Sequence, residues 1–128
     1  MFGTFSKDAD RAIDEISRSL RLNPVGPDLG FALGGLAYAF LIKGDYEKAL
    51  DYARRTTREM PHLMFGWRLV AVASVKADRL QEAKDAIQQI LLLSPNHSIA
   101  QARPAFIYRD EWVCEMLVDG LRKAGLPE

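Results

Sequence analysis

The stretch GDYEKALDYARRTTREMP, Gly44–Pro61, decides the fold because its pattern recurs 34 residues further along the chain. The later copy is DRLQEAKDAIQQILLLSP, Asp78–Pro95, and an earlier, more divergent copy is KDADRAIDEISRSLRLNP, Lys7–Pro24. A recurrence at a fixed period is typical of proteins built from stacked structural units. The three copies therefore predict a repeat architecture in which each unit completes the core of its neighbour.

Each copy has the pattern of a helix with a small-residue contact face and a defined end. When the copies are aligned on their prolines, three positions spaced by four and then three residues form one helical stripe. These positions hold Ala12, Ala49 and Ala83, then Ile16, Ala53 and Ile87, then Ser19, Thr56 and Ile90. The invariably small first position indicates close contact between helices. The proline just beyond the last turn stops the helix.

A second helical pattern precedes each of the two later copies, over residues 28–43 and 63–77. Its equivalent positions hold Leu33, Leu36, Ala37 and Phe40 in the first stretch, and Trp67, Val70, Ala71 and Ser74 in the second. Gly44 and Asp78 lie between the paired helices and suit a tight turn. The unit is a helix, a short turn, a helix and a stop. The predicted fold is an all-α solenoid of stacked antiparallel hairpins.

This pattern resembles the tetratricopeptide repeat (TPR), a helical hairpin of 34 residues. The resemblance is carried by matched pairs of residues in the two units, namely Leu33 and Trp67, Ala37 and Ala71, Tyr46 and Leu80, Ala49 and Ala83, and Pro61 and Pro95. Two positions depart from the family pattern: Ala53 is small where an aromatic residue is usual, and Ser74 replaces the usual Tyr or Phe.

The resemblance implies about two and a half TPR units in a single domain. Residues 7–24 form the second helix of a partial repeat, residues 28–61 and 62–95 form two repeats, and residues 96–128 form a short helix and a capping helix. The segment MFGTFS is too short for the missing partner helix of the first unit. We expect a fragment of a larger protein, the alternative being a natural chain that begins with a half-repeat. The incomplete stack predicts an exposed apolar face and self-association.

The capping helix is predicted from the segment RDEWVCEMLVDGLRKAG. Asp110 has the character of an N-cap, and Arg122 and Lys123 before Gly125 are typical of a helix C-terminus. Its apolar stripe consists of Trp112, Val113, Met116, Leu117 and Leu121.

The ending DGLRKAGLPE, Asp119–Glu128, carries a second resemblance. It is similar to the C-terminal end of bacterial proteins in which TPR units follow a class III adenylate or guanylate cyclase domain or a winged-helix regulator. The resemblance implies a role in bacterial signalling. Any catalytic or DNA-binding domain then lies outside these 128 residues.

Composition argues against several classes of partner. Seventeen basic residues balance seventeen acidic ones, which disfavours nonspecific nucleic-acid binding. The longest apolar run, Leu29–Ile42, has fourteen residues and is shorter than the roughly 18–20 that cross a bilayer. Cys114 is the single cysteine, so no intrachain disulfide forms and a cytoplasmic location is predicted.

The sequence predicts no catalytic site and no cofactor. His62 and His97 each follow a repeat-ending proline and are interpreted as exposed turn residues rather than a metal pair. Cys114 lies in an apolar stretch and is interpreted as a core thiol. Glu111 and Glu115 are interpreted as a solvated helix edge rather than paired catalytic carboxylates. Two further interpretations are a core position for Trp67 and a solvated basic face for Arg54, Arg55 and Arg58.

The family resemblance implies a concave groove lined by the first helix of each hairpin. The matching positions are Phe31, Gly34, Tyr38, Leu41 and Ile42 in one repeat, and Phe65, Arg68, Val72, Val75 and Lys76 in the next. This mainly apolar and aromatic set suits an amphipathic helix or an extended apolar segment, from another protein or from other domains of the same one. Gly34, Tyr38 and Val72 replace the lysines and asparagines with which relatives grip chaperone tails. The alternative is a structural homodimerisation element, whose groove is filled by a neighbouring segment or a second copy.

Overall fold

The computed structural model describes residues 2–26, 28–106 and 110–128. These residues form seven α-helices and one 3-10 helix and contain no strand. The α-helices are α1 (Phe2–Leu22), α2 (Leu29–Lys43), α3 (Tyr46–Glu59), α4 (Met64–Lys76), α5 (Leu80–Leu93), α6 (Ile99–Ala102) and α7 (Glu111–Ala124), and the 3-10 helix is Arg103–Phe106. The predicted all-α fold is confirmed.

The helices pack in consecutive pairs, as expected for a solenoid. Helices α2 and α3 form one antiparallel hairpin, α4 and α5 form the next, and α3 packs against α4 to join them. Helix α1 packs against α2 and extends to Phe2, so the segment that is too short for a partner helix continues α1 instead. The assignment of α1 to a partial repeat stays a prediction.

The small residues of the repeated phrase lie in the hydrophobic core. Ala49, Ala53 and Ala83 are fully buried, as predicted from their shared register. Leu50 and Ile87 fill the adjacent core positions and are also buried. Because an alanine side chain ends at Cβ, the neighbouring helix backbone approaches closely without leaving a void.

The two tight turns between paired helices adopt the same left-handed backbone conformation. Gly44 has φ 88° and ends α2, while the N–H of Asp45 donates to the carbonyl of Phe40 at 2.9 Å. Asp78 has φ 62°, and the N–H of Arg79 donates to the carbonyl of Ser74 at 2.8 Å. Glycine adopts this conformation without strain, whereas an L side chain does so at a cost.

Exchanging the residue types at these turns should change stability in opposite directions. Asp78→Gly should raise the free energy of unfolding by about 0.5–1 kcal/mol, because it relieves the strained backbone. Gly44→Ala should lower the free energy of unfolding by about 1 kcal/mol. The cause is backbone strain and not a steric clash, because a Cβ at this position meets no atom within 4 Å among the described residues. Urea unfolding monitored by circular dichroism measures both changes. Effects of the same sign would contradict the shared turn geometry.

An ion pair links the second helices of the two hairpins. Arg54 of α3 donates from Nε and Nη2 to the two carboxylate oxygens of Glu82 on α5, at 2.7 and 2.6 Å. The interpretation of a solvated basic face is therefore wrong for Arg54. Arg55 lies over the ring of Tyr52, with its guanidinium carbon 5.3 Å from the ring centroid, and Arg58 is exposed.

Removing the charge of Glu82 should reveal a pH-dependent contribution to stability. The hydrogen bonds from Arg54 lower the pKa of Glu82. The ion pair therefore contributes its full stabilisation of the fold above the ordinary carboxyl pKa of about 4.3. Glu82→Gln should lower the free energy of unfolding by up to about 1 kcal/mol at pH 7. This difference in the free energy of unfolding should shrink as the pH falls through the lowered pKa of Glu82. The wild-type carboxyl group is then protonated, so it is uncharged like the Gln of the variant.

The matched control is Glu47→Gln, which removes a more exposed ion pair between Glu47 and Arg79 at 3.2 Å. Its effect should be smaller than that of Glu82→Gln. Urea denaturation at several pH values measures both differences. A Glu82→Gln effect that stays constant down to the acid transition would show that the ion pair does not contribute.

Helix α7 forms over the segment from which the capping helix is predicted. It packs mainly on α4, which is the first helix of the second hairpin. Helix α7 ends at Gly125 with φ 110°, directly after Arg122 and Lys123. It packs more extensively on α4 than on α5. Gly120 permits this contact, because a Cβ there would lie 2.9 Å from Cγ1 of Val72. The first helices of the two hairpins, α2 and α4, form what we call the inner face, and α7 covers part of it instead of simply extending the stack.

Candidate protein-binding groove

The ten residues predicted to line the groove differ in their exposure. Phe31 is 56% exposed, and Tyr38, Ile42, Phe65, Arg68, Val75 and Lys76 are half-buried. Gly34, Leu41 and Val72 are buried within the chain. The surface that a partner can reach is thus smaller than the predicted set.

An aromatic pair joins the two repeats across the inner face. The rings of Phe31 on α2 and Phe65 on α4 stack with centroids 5.6 Å apart and planes inclined by 15°. Gly34 makes room for this stack, because a Cβ there would overlap with Cε2 of Phe65. Gly34, which is predicted to line the groove, therefore allows the aromatic pair to form.

Two cavities open on the inner face, and Tyr38 contributes to both. The first, which we call the Arg68 pocket, has a volume of about 120 Å³ and is walled by Tyr38, Phe65, Arg68, Val72, Phe106 and Leu117. The second has a volume of about 340 Å³ and lies between α1, α2 and the start of α7; its walls include Ala12, Ile16, Gly35, Ile42, Asp110 and Val113. Both cavities are lined in part by α7, through Leu117 in the first and Val113 in the second.

Arg68 is the charged residue within the first cavity. Its Nη2 lies 3.5 Å from Sδ of Met64 and 3.2 Å from Nε2 of His97, and its guanidinium carbon lies 5.8 Å from the ring centroid of Phe106. Its Nε is buried and has no hydrogen-bond partner among the described residues. Burial lowers the pKa of Arg68, although an arginine stays protonated.

His97 is buried beside Arg68, at 6% exposure, so its interpretation as an exposed turn residue is wrong. Burial and then the neighbouring Arg68 charge lower the pKa of His97, which favours the neutral imidazole. Because a guanidinium has donors only, Nε2 accepts from Arg68 and the ring proton resides on Nδ1. Arg68 and His97 are 29 residues apart in the chain, so no local pattern in the sequence indicates this contact.

The other residues singled out in the sequence lie apart from this pocket. His62 is exposed and Cys114 is half-buried. Both Glu111 and Glu115 are exposed, and Glu115 contacts Arg103 at 3.4 Å. Trp67 is half-buried rather than fully enclosed, and its indole N–H donates to the carbonyl of Pro61 at 3.0 Å.

The described residues form neither a metal-binding cluster nor a membrane-spanning helix. Within residues 2–26, 28–106 and 110–128, no three His, Cys, Asp or Glu side chains lie close enough together to hold a metal ion. No helix in this part of the chain combines the length and apolar character needed to cross a bilayer.

The stacked hairpins define a helical-repeat protein of the solenoid class. No protein-family model matches the chain. A TPR repeat-containing protein of Pseudomonas aeruginosa is 31% identical over 77 residues, which cover 60% of this chain and 73% of the relative. The chain belongs to the tetratricopeptide-repeat family, as the register of its small and large residues predicts.

The neighbouring glycines of α2 provide a test of the aromatic pair. In a helix interior, Gly→Ala gains about 1 kcal/mol of helix propensity. Gly35→Ala should realise most of this gain, because its Cβ meets only the flexible Cδ1 of Ile16, at 3.0 Å. Gly34→Ala should instead destabilise by about 1 kcal/mol, since the Phe65 ring has to move. Urea unfolding measures the difference, and equal stabilities would contradict the close approach at Gly34.

Proposed function

We propose that the chain is a noncatalytic protein-interaction module that binds an apolar or amphipathic protein segment on its inner face. The observation that supports this proposal is the Phe31–Phe65 pair, in which Phe31 stays 56% exposed although it is stacked on its neighbour. Aromatic residues dominate the binding energy of protein interfaces when a partner removes them from water.

The aromatic pair is held ready for such contact by the fold. Phe31 and Phe65 lie near the N-terminal ends of α2 and α4. Because Gly34 has no Cβ, it leaves the space that the Phe65 ring occupies in the stack. A rigid surface loses little conformational entropy when it binds, so more of the contact energy contributes to affinity. Because α7 covers Val72, we place the main anchor of the partner at Phe31, Phe65 and Tyr38.

The proposal is tested with peptides selected from a random library displayed on phage. Selected peptides should be apolar or amphipathic, and Phe31→Ala should weaken their binding at least tenfold. The fold should persist, because Phe31 is mostly exposed. The matched control is Leu92→Ala on α5, which truncates an apolar side chain that is 74% exposed but does not line the predicted groove. Isothermal titration calorimetry measures the affinities. Unchanged binding by Phe31→Ala, or equal losses in both variants, would refute the site.

A second candidate function is homodimerisation through the end of the stack. Leu22 and Val25 are highly exposed at the end of α1 and in the segment after it, which favours a contact between copies. Sedimentation over a range of protein concentrations should then show a dimer that Leu22→Ser and Val25→Ser together dissociate. A monomer at all concentrations would exclude this candidate and leave the groove proposal intact.

The wider context is inferred from the resemblance of residues 119–128. We infer a cytoplasmic bacterial signalling protein in which any cyclase or winged-helix domain lies outside these residues, and its other domains are candidate partners of the groove. The relative from Pseudomonas aeruginosa supports the TPR assignment alone. The complete reading frame tests this inference, which an open reading frame without such a domain would contradict.

A further inference from the structure

We propose that His97 makes the docking of residues 97–106 on α4 sensitive to pH. We call these residues the α6 segment, because α6 lies at their centre. Protonation of His97 releases the segment from Arg68 and opens the Arg68 pocket, of which Phe106 in the same segment forms a wall. The inference goes beyond the proposed interaction function and does not depend on it.

The hydrogen-bonding pattern of His97 is what a proton changes. A guanidinium has donors only, so the 3.2 Å contact between Nη2 of Arg68 and Nε2 of His97 requires that Nε2 carry no proton. A proton on Nε2 turns this atom into a donor. The contact then brings two donors and two positive charges together, and it becomes repulsive. Because His97 is 6% exposed, water does not replace the lost partner while the segment stays docked.

The surroundings of His97 do not compensate for a second positive charge. The charged group that acts on the imidazole is Arg68 of α4, and the neutral side chain of Gln101 hydrogen-bonds with the ring. Neither α6 nor the last turn of α5 holds a titratable residue. The acidic side chains of α7 and of the C-terminal segment are exposed or paired with other cations: Glu111 is exposed, and Glu115, Asp119 and Glu128 pair with Arg103, Lys123 and Arg122.

The direction of the pH dependence follows from the environment of the docked imidazole. Burial and then the Arg68 charge lower the pKa of His97, and the hydrogen bond with Gln101 offsets only part of this effect. The released imidazole therefore binds a proton more tightly than the docked one. Docking is fully stable above the ordinary histidine pKa of about 6.5, and it weakens as the pH falls from there toward the lowered pKa.

The α6 segment is the part that moves, because it is held less extensively than α4. Helix α4 packs against α2, α3, α5 and α7, whereas α6 packs on the 3-10 helix and α7. The amide of Ala102 donates to the carbonyl of Ser98 at 2.9 Å within a single helical turn, which has little stability of its own. Because Ile99 and Phe106 are buried, the open state is a minority that protonation makes more frequent.

Amide hydrogen exchange of the ¹⁵N-labelled chain, corrected for the pH dependence of intrinsic exchange, measures this opening. The opening constant at Ala102 should rise by at least about threefold between about pH 7.5 and about pH 5, with an upper limit of about thirtyfold for one imidazole that regains a pKa of about 6.5. The reference is the amide of Ala53 in α3. Ala102 should open more often than Ala53 at both pH values, because the segment opens while the hairpins stay folded.

Three variants assign the effect to the contact between Arg68 and His97. His97→Gln should remove the pH dependence at Ala102, because a glutamine amide does not titrate in this range. The matched control is His62→Gln, which removes an exposed histidine and should preserve the pH dependence. Arg68→Met removes the like charge and should reduce the pH dependence.

An opening constant at Ala102 that is equal at the two pH values would overturn the inference, and so would a pH dependence that survives His97→Gln. Equal opening constants at Ala102 and Ala53 would also overturn it, because the segment would then unfold only with the whole chain. If His97→Gln fails to fold, the wild-type ring decides: titration of His97 at or above about 6.5 by NMR contradicts the proposal. None of these outcomes bears on the binding test with Phe31→Ala.

Discussion

The burial of Ala49, Ala53 and Ala83 in the core shared by the two hairpins is the constraint on which the rest of the structure depends. These side chains are fully buried, and they lie on the second helix of each hairpin. Helix α3 packs against both α2 and α4, so these first helices of the two hairpins are held side by side. This arrangement places Phe31 against Phe65. A larger residue at any of the three alanines would move the inner face as well as the core.

Features that depend on local register were predictable from the sequence. The positions of the hairpins, the tight turns at Gly44 and Asp78 and the end of α7 before Gly125 all follow from residues within one or two helical turns. Contacts between distant residues were not predictable in this way. Arg54 meets Glu82 and Arg68 meets His97 across 28 and 29 residues, and the sequence offers many other charged residues at similar separations.

The groove illustrates the same limit. The repeat register selects ten residues, and the exposure of each depends on what packs above it. Val72 is buried because Gly120 brings α7 onto α4, and no feature of the capping pattern specifies which helix α7 will contact. The residues of the predicted apolar stripe of α7 also differ in burial. Val113, Leu117 and Leu121 are buried, whereas Trp112 and Met116 are half-buried. The repeat register thus selects positions on α2 and α4, whereas the packing of α7 decides which of them stay accessible.

The position of α4 explains why the guanidinium of Arg68 is partly removed from water. This helix packs against α3, α5, α7 and α2, and its residues from Leu69 to Ser74 are all buried. A helix enclosed on so many sides has few positions where a guanidinium can keep contact with water. Arg68 precedes this buried run and stays half-buried beside a neutral histidine. The zero net charge of the chain conceals this local excess of positive charge. Phe65 and Arg68 are both half-buried, so α4 keeps an aromatic ring and a cation in partial contact with water just before its buried run.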